Sequence, residues 1–208
     1  MTPGTALVVV DLQNDFCAPE VVRGRHGATP EDLAAVTTRA ARAVDVARAN
    51  GTEVVFVRFV GDMVHQGASW RARDAALGKA PKCRDGSWGA EFRGVTPAAD
   101  EHVFTKLACF DAFLAEGFES HLRSRAVEHV VLAGVYADVC VDSTARTAFQ
   151  KGFHVTVLTD CTTSLHLSGD DVFRFMRRVY GARTVPLDAW SAGPGRSGAW
   201  AASRAGSA

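Results

Sequence analysis

The feature that most constrains this chain is an alternation. Short apolar runs rich in β-branched residues are followed, one after another, by stretches with helical periodicity. The runs are Ala6 to Val10, Glu53 to Val60, Val103 to Lys106, Val130 to Val135, His154 to Leu158 and Ala182 to Leu187. Each is short enough for a strand buried on both faces. Between them, Thr29 precedes Pro30-Glu31-Asp32, a helix start with an N-cap, a proline in the first turn and acids at the positive end of the dipole. Leu33, Val36, Ala40, Val44 and Ala47 give that helix its apolar stripe, and Asn50-Gly51 stops it. A second helix is expected in the later half of Phe113 to Arg125, with Phe118, Leu122 and Ala126 inward. A third carries Val141, Thr144, Ala145, Ala148 and Phe149 and ends at Lys151-Gly152. A last helix, capped by Ser168-Gly169-Asp170-Asp171, carries Val172, Phe175, Met176 and Val179.

This order predicts an α/β fold, a three-layer sandwich with a roughly six-stranded parallel sheet between helices, Rossmann-like in plan. Residues 1–190 read as one domain, and 191–208 as a Gly/Ser/Ala-rich tail with too little apolar content to order itself. Residues 17–29 read as a loop. Residues 61–91 break the pattern and read as a long loop with at most a short helix, the kind of connection that carries binding function. No Gly-x-Gly-x-x-Gly follows a strand and no GxxxxGK[ST] occurs, so neither a dinucleotide nor a P-loop site is indicated.

Charge narrows the partners. Lys+Arg and Asp+Glu both number 23, which leaves no basic surface for nucleic acid or an anionic membrane. Five cysteines at irregular spacing, without a CxxC pair, argue against a disulfide framework or a structural zinc site. The first apolar stretch is too short for a signal peptide or a membrane span, so the cytoplasm is the expected location.

In a parallel sheet, strand carboxyl ends line one edge, and ligands bind there. Three reactive residues fall at such ends: Asp11, Lys106 and Cys140. Only four of the 23 basic residues are lysines, which draws notice to Lys106, since Lys can shift its pKa and Arg cannot. Cys140 follows a strand and leads into a helix, where unpaired N–H groups and the dipole favour a thiolate and could hold an oxyanion. Taken singly, each has a plain alternative: a turn acid, a surface amine, a core filler.

Four segments carry a resemblance. They are Asp11-Leu12-Gln13-Asn14-Asp15-Phe16, Phe104-Thr105-Lys106, Gly86-Ser87-Trp88-Gly89-Ala90-Glu91, and Gly134-Val135-Tyr136-Ala137-Asp138-Val139-Cys140 with Val141-Asp142-Ser143-Thr144-Ala145-Arg146. In order and spacing, over roughly residues 6–187, they resemble the isochorismatase-like cysteine hydrolases. That resemblance implies Cys140 as nucleophile, Asp11 as base, and Lys106 holding Asp11 ionised and lowering the Cys140 pKa. It also implies a cis peptide at Val135-Tyr136, an oxyanion hole from the Tyr136 and Cys140 N–H groups, and a thioester acyl-enzyme. Phe16, Trp88, Gln13 and Tyr136 are the expected substrate-binding residues. No cofactor is implied. The partner is a small amide, and a homodimer or homotetramer is usual in the family.

Departures from the family pattern bear on chemistry. Nicotinamidases hold a metal through Asp-x-His and a later His. Here Asp62 and His65 lack that spacing, and no further His follows before His102, so no metal is expected. Isochorismatases proper commonly have Gly where this chain has Cys140, which favours hydrolysis of a C–N bond in an amide, ureido compound or lactam. Two alternatives stay open: an ether hydrolase using Asp11 and Lys106 with Cys140 idle, and a non-catalytic binding protein on the same scaffold. Asp138 could cap the helix or meet a cationic substrate. Cys109 and Cys161 read as structural, and His154 as a surface histidine at a strand start.

Overall fold

A computed structural model describes residues 4–22 and 28–192. The strands are β1 (Thr5–Val10), β2 (Glu53–Phe59), β3 (His102–Lys106), β4 (His129–Gly134), β5 (His154–Leu158) and β6 (Arg183–Val185). They form one sheet in the order β3-β2-β1-β4-β5-β6, and every neighbouring pair is parallel. The helices are α1 (Asn14–Cys17), α2 (Pro19–Val22), α3 (Pro30–Ala49), α4 (Ala68–Ala76), α5 (Phe118–Ser124), α6 (Asp142–Gln150), α7 (Gly169–Tyr180) and α8 (Leu187–Ser191).

Alternation along the strands builds two cores. In β1, Ala6, Val8 and Val10 face one layer with residues of α5, α6 and α7, while Leu7 and Val9 face the other with α3 and Leu187 of α8. All six β1 residues are buried, which is why the segment reads as a continuous apolar run. Burial of Leu7, Val8, Val9 and Val10 stabilises the fold by about 1.5–3 kcal/mol for each side chain. The expected start of α3 is present in full: Thr29 Oγ1 accepts from the Asp32 N–H, and Asp32 Oδ2 accepts from the Thr29 N–H.

Several expectations are corrected. Residues 17–29 are not simply a loop, since α1 and α2 occupy part of them. The short helix allowed for within residues 61–91 is α4, and two 3-10 turns, Met63–His65 and Trp88–Ala90, are added to it. Ala126 is exposed with φ 51°, and Val127 is the buried residue after α5. Phe149, Phe175 and Val179 are 50%, 38% and 59% exposed, so the inward stripes of α6 and α7 are narrower than their spacing suggests. The last strand ends at Val185, and Leu187 opens α8 instead of closing the strand. The Gly/Ser/Ala-rich tail lies, from residue 193 on, outside the described residues. No helix among the described residues is long and apolar enough to cross a membrane.

Candidate active site

The sheet order changes direction between β1 and β4, and the carboxyl ends of these two strands carry Asp11 and the Cys140 turn. Their close pairing needs Gly134. A Cβ there would lie 2.0 Å from the Val10 carbonyl oxygen, and φ is 117°. Asp11 itself has φ 53°, a left-handed conformation that costs an aspartate about 1–2 kcal/mol. It turns the chain sharply out of β1, with the Asp11 N–H donating to the Val57 carbonyl at 2.9 Å. Two strands away, β3 places Lys106 opposite Phe59 in register.

These side chains meet. Lys106 Nζ lies 2.6 Å from Asp11 Oδ2, with the two side chains 0% and 1% exposed. The ammonium also donates to the Phe110 carbonyl at 2.5 Å and sits 5.9 Å from the centre of the Phe59 ring. Neither Asp11 oxygen makes a well-aligned hydrogen bond, so the contact with Lys106 is an ion pair and leaves acceptor capacity at the carboxylate. The Cys140 thiol is within hydrogen-bonding reach of both Asp11 and Lys106.

Electrostatics set the resting state. Burial raises the Asp11 pKa against the lowering pull of Lys106. Burial works to lower Lys106, but its contacts with Asp11 first, and with Cys140, outweigh it and hold the amine at about 12. Burial, then Asp11, push the Cys140 thiol well above its usual range, against the pull of Lys106. At Cys140, burial and Asp11 thus oppose the lowering pull of Lys106 that was expected to favour a thiolate.

Cys140 lies near a helix N-terminus, as expected, two residues before α6. Ala137–Val141 form a π-turn ahead of α6, in which the Tyr136 carbonyl accepts from both Val139 and Val141. The Val135–Tyr136 peptide is cis, and so is Cys109–Phe110. Asp138 does not cap the helix. Its carboxylate accepts the N–H groups of Leu165, His166 and Leu167 at 2.8, 2.6 and 2.9 Å, anchoring the loop after β5.

The expected pocket residues divide. Gln13 is fully buried and fully engaged: its amide donates to Phe59 and Ala90 carbonyls and accepts the Phe59 N–H. It is a staple between β2 and the Trp88–Ala90 turn, not a substrate contact. Asn14 and Asp15 extend the staple, Asn14 donating to the Trp88 carbonyl and Asp15 accepting the Cys83 N–H. Gly89 permits this, because a Cβ there would lie 2.3 Å from the Asp15 carboxylate. Tyr136, expected to bind substrate, is 5% exposed, and its hydroxyl donates to the Phe16 carbonyl at 2.5 Å, which makes its side chain an anchor. Phe16 is part-exposed, with its ring 6.1 Å from Phe59, and Phe59 lies 5.6 Å from Trp70. Trp88 is 47% exposed.

Trp70, Arg73 and Phe110 were not legible in the sequence. Arg73 on α4 lies 6.0 Å from the Trp70 ring and 5.7 Å from the Phe110 ring, and bonds Cys109 and Asp74. Cys109 is thus part-exposed beside the site, while Cys161 is fully buried. Asp62 accepts the Asp85 N–H, and His65 is exposed on its 3-10 turn. A shallow depression of about 450 Å³ lined by Thr159, Asp170, Phe173, Arg174, Arg177 and Thr184 contains none of the reactive side chains.

Comparison with known proteins decides the family. The isochorismatase domain model matches residues 5–186. The chain belongs to the isochorismatase family. It is 31% identical over 172 residues to ureidoacrylate amidohydrolase RutB of Methylobacterium radiotolerans, covering 76% of this chain and 66% of that one. To the RutB of Pseudomonas syringae pv. syringae it is 30% identical over 177 residues, covering 78% and 72%. Among solved structures, N-carbamoylsarcosine amidase from Thermoplasma acidophilum superposes with a TM-score of 0.74 at 26% identity, covering 88% of this chain and 96% of the other. An isochorismatase family protein from Desulfovibrio vulgaris gives 0.78 at 28% identity, covering 92% and 98%.

Proposed function

We propose that this member of the isochorismatase family is a cysteine amidohydrolase that cleaves a C–N bond of a small amide, ureido compound or lactam. It is a hydrolase of carbon–nitrogen bonds other than peptide bonds. The observation that carries the reading is the convergence of the buried Asp11–Lys106 pair with the part-exposed Cys140. The amidohydrolase names of its RutB and N-carbamoylsarcosine amidase relatives support it.

The Cys140 sulfur attacks the substrate carbonyl as its proton passes to Asp11. The developing oxyanion is held by the N–H groups of Tyr136 and Cys140. Collapse of the tetrahedral species breaks the C–N bond, and Asp11 returns its proton to the leaving nitrogen. Asp11 then takes a proton from water as that water attacks the thioester, and the proton goes back to sulfur as the acid product leaves. Lys106 stays protonated throughout, and its charge keeps Asp11 able to ionise despite burial. Phe16, Trp70 and Phe110 offer apolar walls, and Trp88 stands at the rim.

The five free thiols suit a reducing compartment, which supports a cytoplasmic enzyme. Self-association into a homodimer or homotetramer, usual in the family, is to be checked by light scattering.

The test is a panel of primary amides, ureido acids, lactams and isochorismate, with and without chelator, followed by mass spectrometry. Release of ammonia or amine in the presence of chelator, with an acyl adduct on Cys140 after rapid quench, is the expected result. Cleavage of isochorismate alone, with no adduct, would overturn it.

A further inference from the structure

The opposite edge of the sheet holds a second convergence that the hydrolytic chemistry does not use. Glu53 opens β2, His102 opens β3, and His121 lies on α5. Their ligating atoms lie within 4.8 Å of one another, the one such group of three among the described residues. The two imidazole rings sit 4.0 Å apart between centroids. His121 Nε2 is 2.8 Å from Glu53 Oε1, and Arg125 donates to the other oxygen of Glu53 through Nε and Nη2 at 3.1 and 3.0 Å.

The geometry points to a site for a borderline divalent transition ion, zinc above all, at Glu53, His102 and His121. Two neutral imidazoles and one carboxylate suit zinc and its first-row neighbours, whereas magnesium and calcium want oxygen ligands throughout. In a tetrahedral zinc site with bonds of about 2.0–2.1 Å, ligating atoms stand roughly 3.3 Å apart. Closing the group to that spacing asks only for a small swing of His102, which is exposed and can move, and a slight opening of the His121–Glu53 contact. Water takes the fourth position. Arg125 holds the outer carboxylate oxygen, turning the inner one toward the imidazoles, as outer partners of metal ligands do.

The placement defines the role. β3 is the edge strand, and His102 and Lys106 are its two ends, about 13 Å apart at 3.3 Å per residue. An ion here cannot touch the substrate at Cys140. It ties the edge strand to β2 and α5, next to the ring cluster Phe104, Phe118 and His121. It stabilises the fold in proportion to occupancy, because the three ligands come together only in the native state.

The test uses the full chain, free of purification tags and stripped with chelator. Zinc chloride is titrated by calorimetry, and cobalt(II) by visible absorption. The expected result is one ion per chain, a rise in thermal midpoint with zinc, and a cobalt spectrum without a thiolate charge-transfer band. His102→Ala should weaken binding at least tenfold. Because His102 is exposed, that variant keeps its fold, and Glu53→Gln gives a second check. Absence of binding at a hundredfold excess of zinc would overturn the assignment. So would a thiolate band, or binding undiminished in His102→Ala.

Discussion

The two edges of the sheet solve opposite problems with similar residue types. At the carboxyl edge a lysine and an aspartate are sealed together, 0% and 1% exposed, beside a cysteine. At the amino edge a glutamate, an arginine and histidines cluster within reach of water, with Glu53 20% and Arg125 59% exposed. The buried group gains strong, directional electrostatics that can move a proton, and it leaves a carboxylate that is costly to strand. The open group is screened, so its contacts stabilise little. A reactive centre wants the first arrangement and a tolerant edge the second.

The largest effect expected at the carboxyl edge follows from Asp11→Asn. The amide cannot take the Cys140 proton, so kcat/KM should fall about 10²–10⁴-fold with the fold retained. In the wild type, activity should fall on the acid side at a pKa above the ordinary aspartate range, because burial raises Asp11. Loss of less than tenfold in steady-state assays would remove Asp11 from the proton path. Lys106→Met comes next. It strands a buried carboxylate, and urea denaturation should show a loss of about 3–5 kcal/mol. A neutral result would mean that the carboxyl edge is no more electrostatically committed than the amino edge.

At the amino edge, His129 opens β4 and bonds Thr156, and burial, then His154 and Arg183, lower its pKa to about 4. The folded state therefore resists protonation that the unfolded chain accepts near 6.5. Its contribution is present above that value and is lost as pH falls toward 4, on the order of 2 kcal/mol after allowing for partial exposure. Thermal midpoints across this range should drop in the wild type and drop less in His129→Gln. The smallest effect is expected from Arg125→Ala in metal-free protein. Its exposed contact with Glu53 should cost less than about 1 kcal/mol, and a larger loss would erase the contrast between the edges.

What the sequence makes legible follows the range of the forces involved. Strand order, the Thr29 cap of α3 and the placement of Asp11, Lys106 and Cys140 at strand ends follow from local patterns and the fixed logic of parallel sheets. The duties of Gln13, Asn14 and Asp15 do not. They bond residues 46 to 77 positions away in the chain for Gln13, and 74 and 68 for the other two, which no local pattern carries. Asp138 likewise spends its carboxylate 27 to 29 residues on. The upward push that burial gives the Cys140 thiol, against the pull of Lys106, depends on packing and cannot be summed from sequence. No local pattern links Glu53, His102 and His121, because register between β2 and β3 and the docking of α5 bring them together. A helix-spaced Phe149 or Val179 still lies exposed where its layer has no partner above it.

The account rests on sulfur chemistry at the carboxyl edge, so the most direct measurement is kcat/KM of Cys140→Ala on the best amide or ureido substrate, in chelator. Removal of the thiol leaves Asp11 and Lys106 paired and the fold intact, and activity should fall at least a thousandfold. Activity within tenfold of wild type would show that Asp11 and Lys106 act without the thiol, and would contradict the cysteine mechanism.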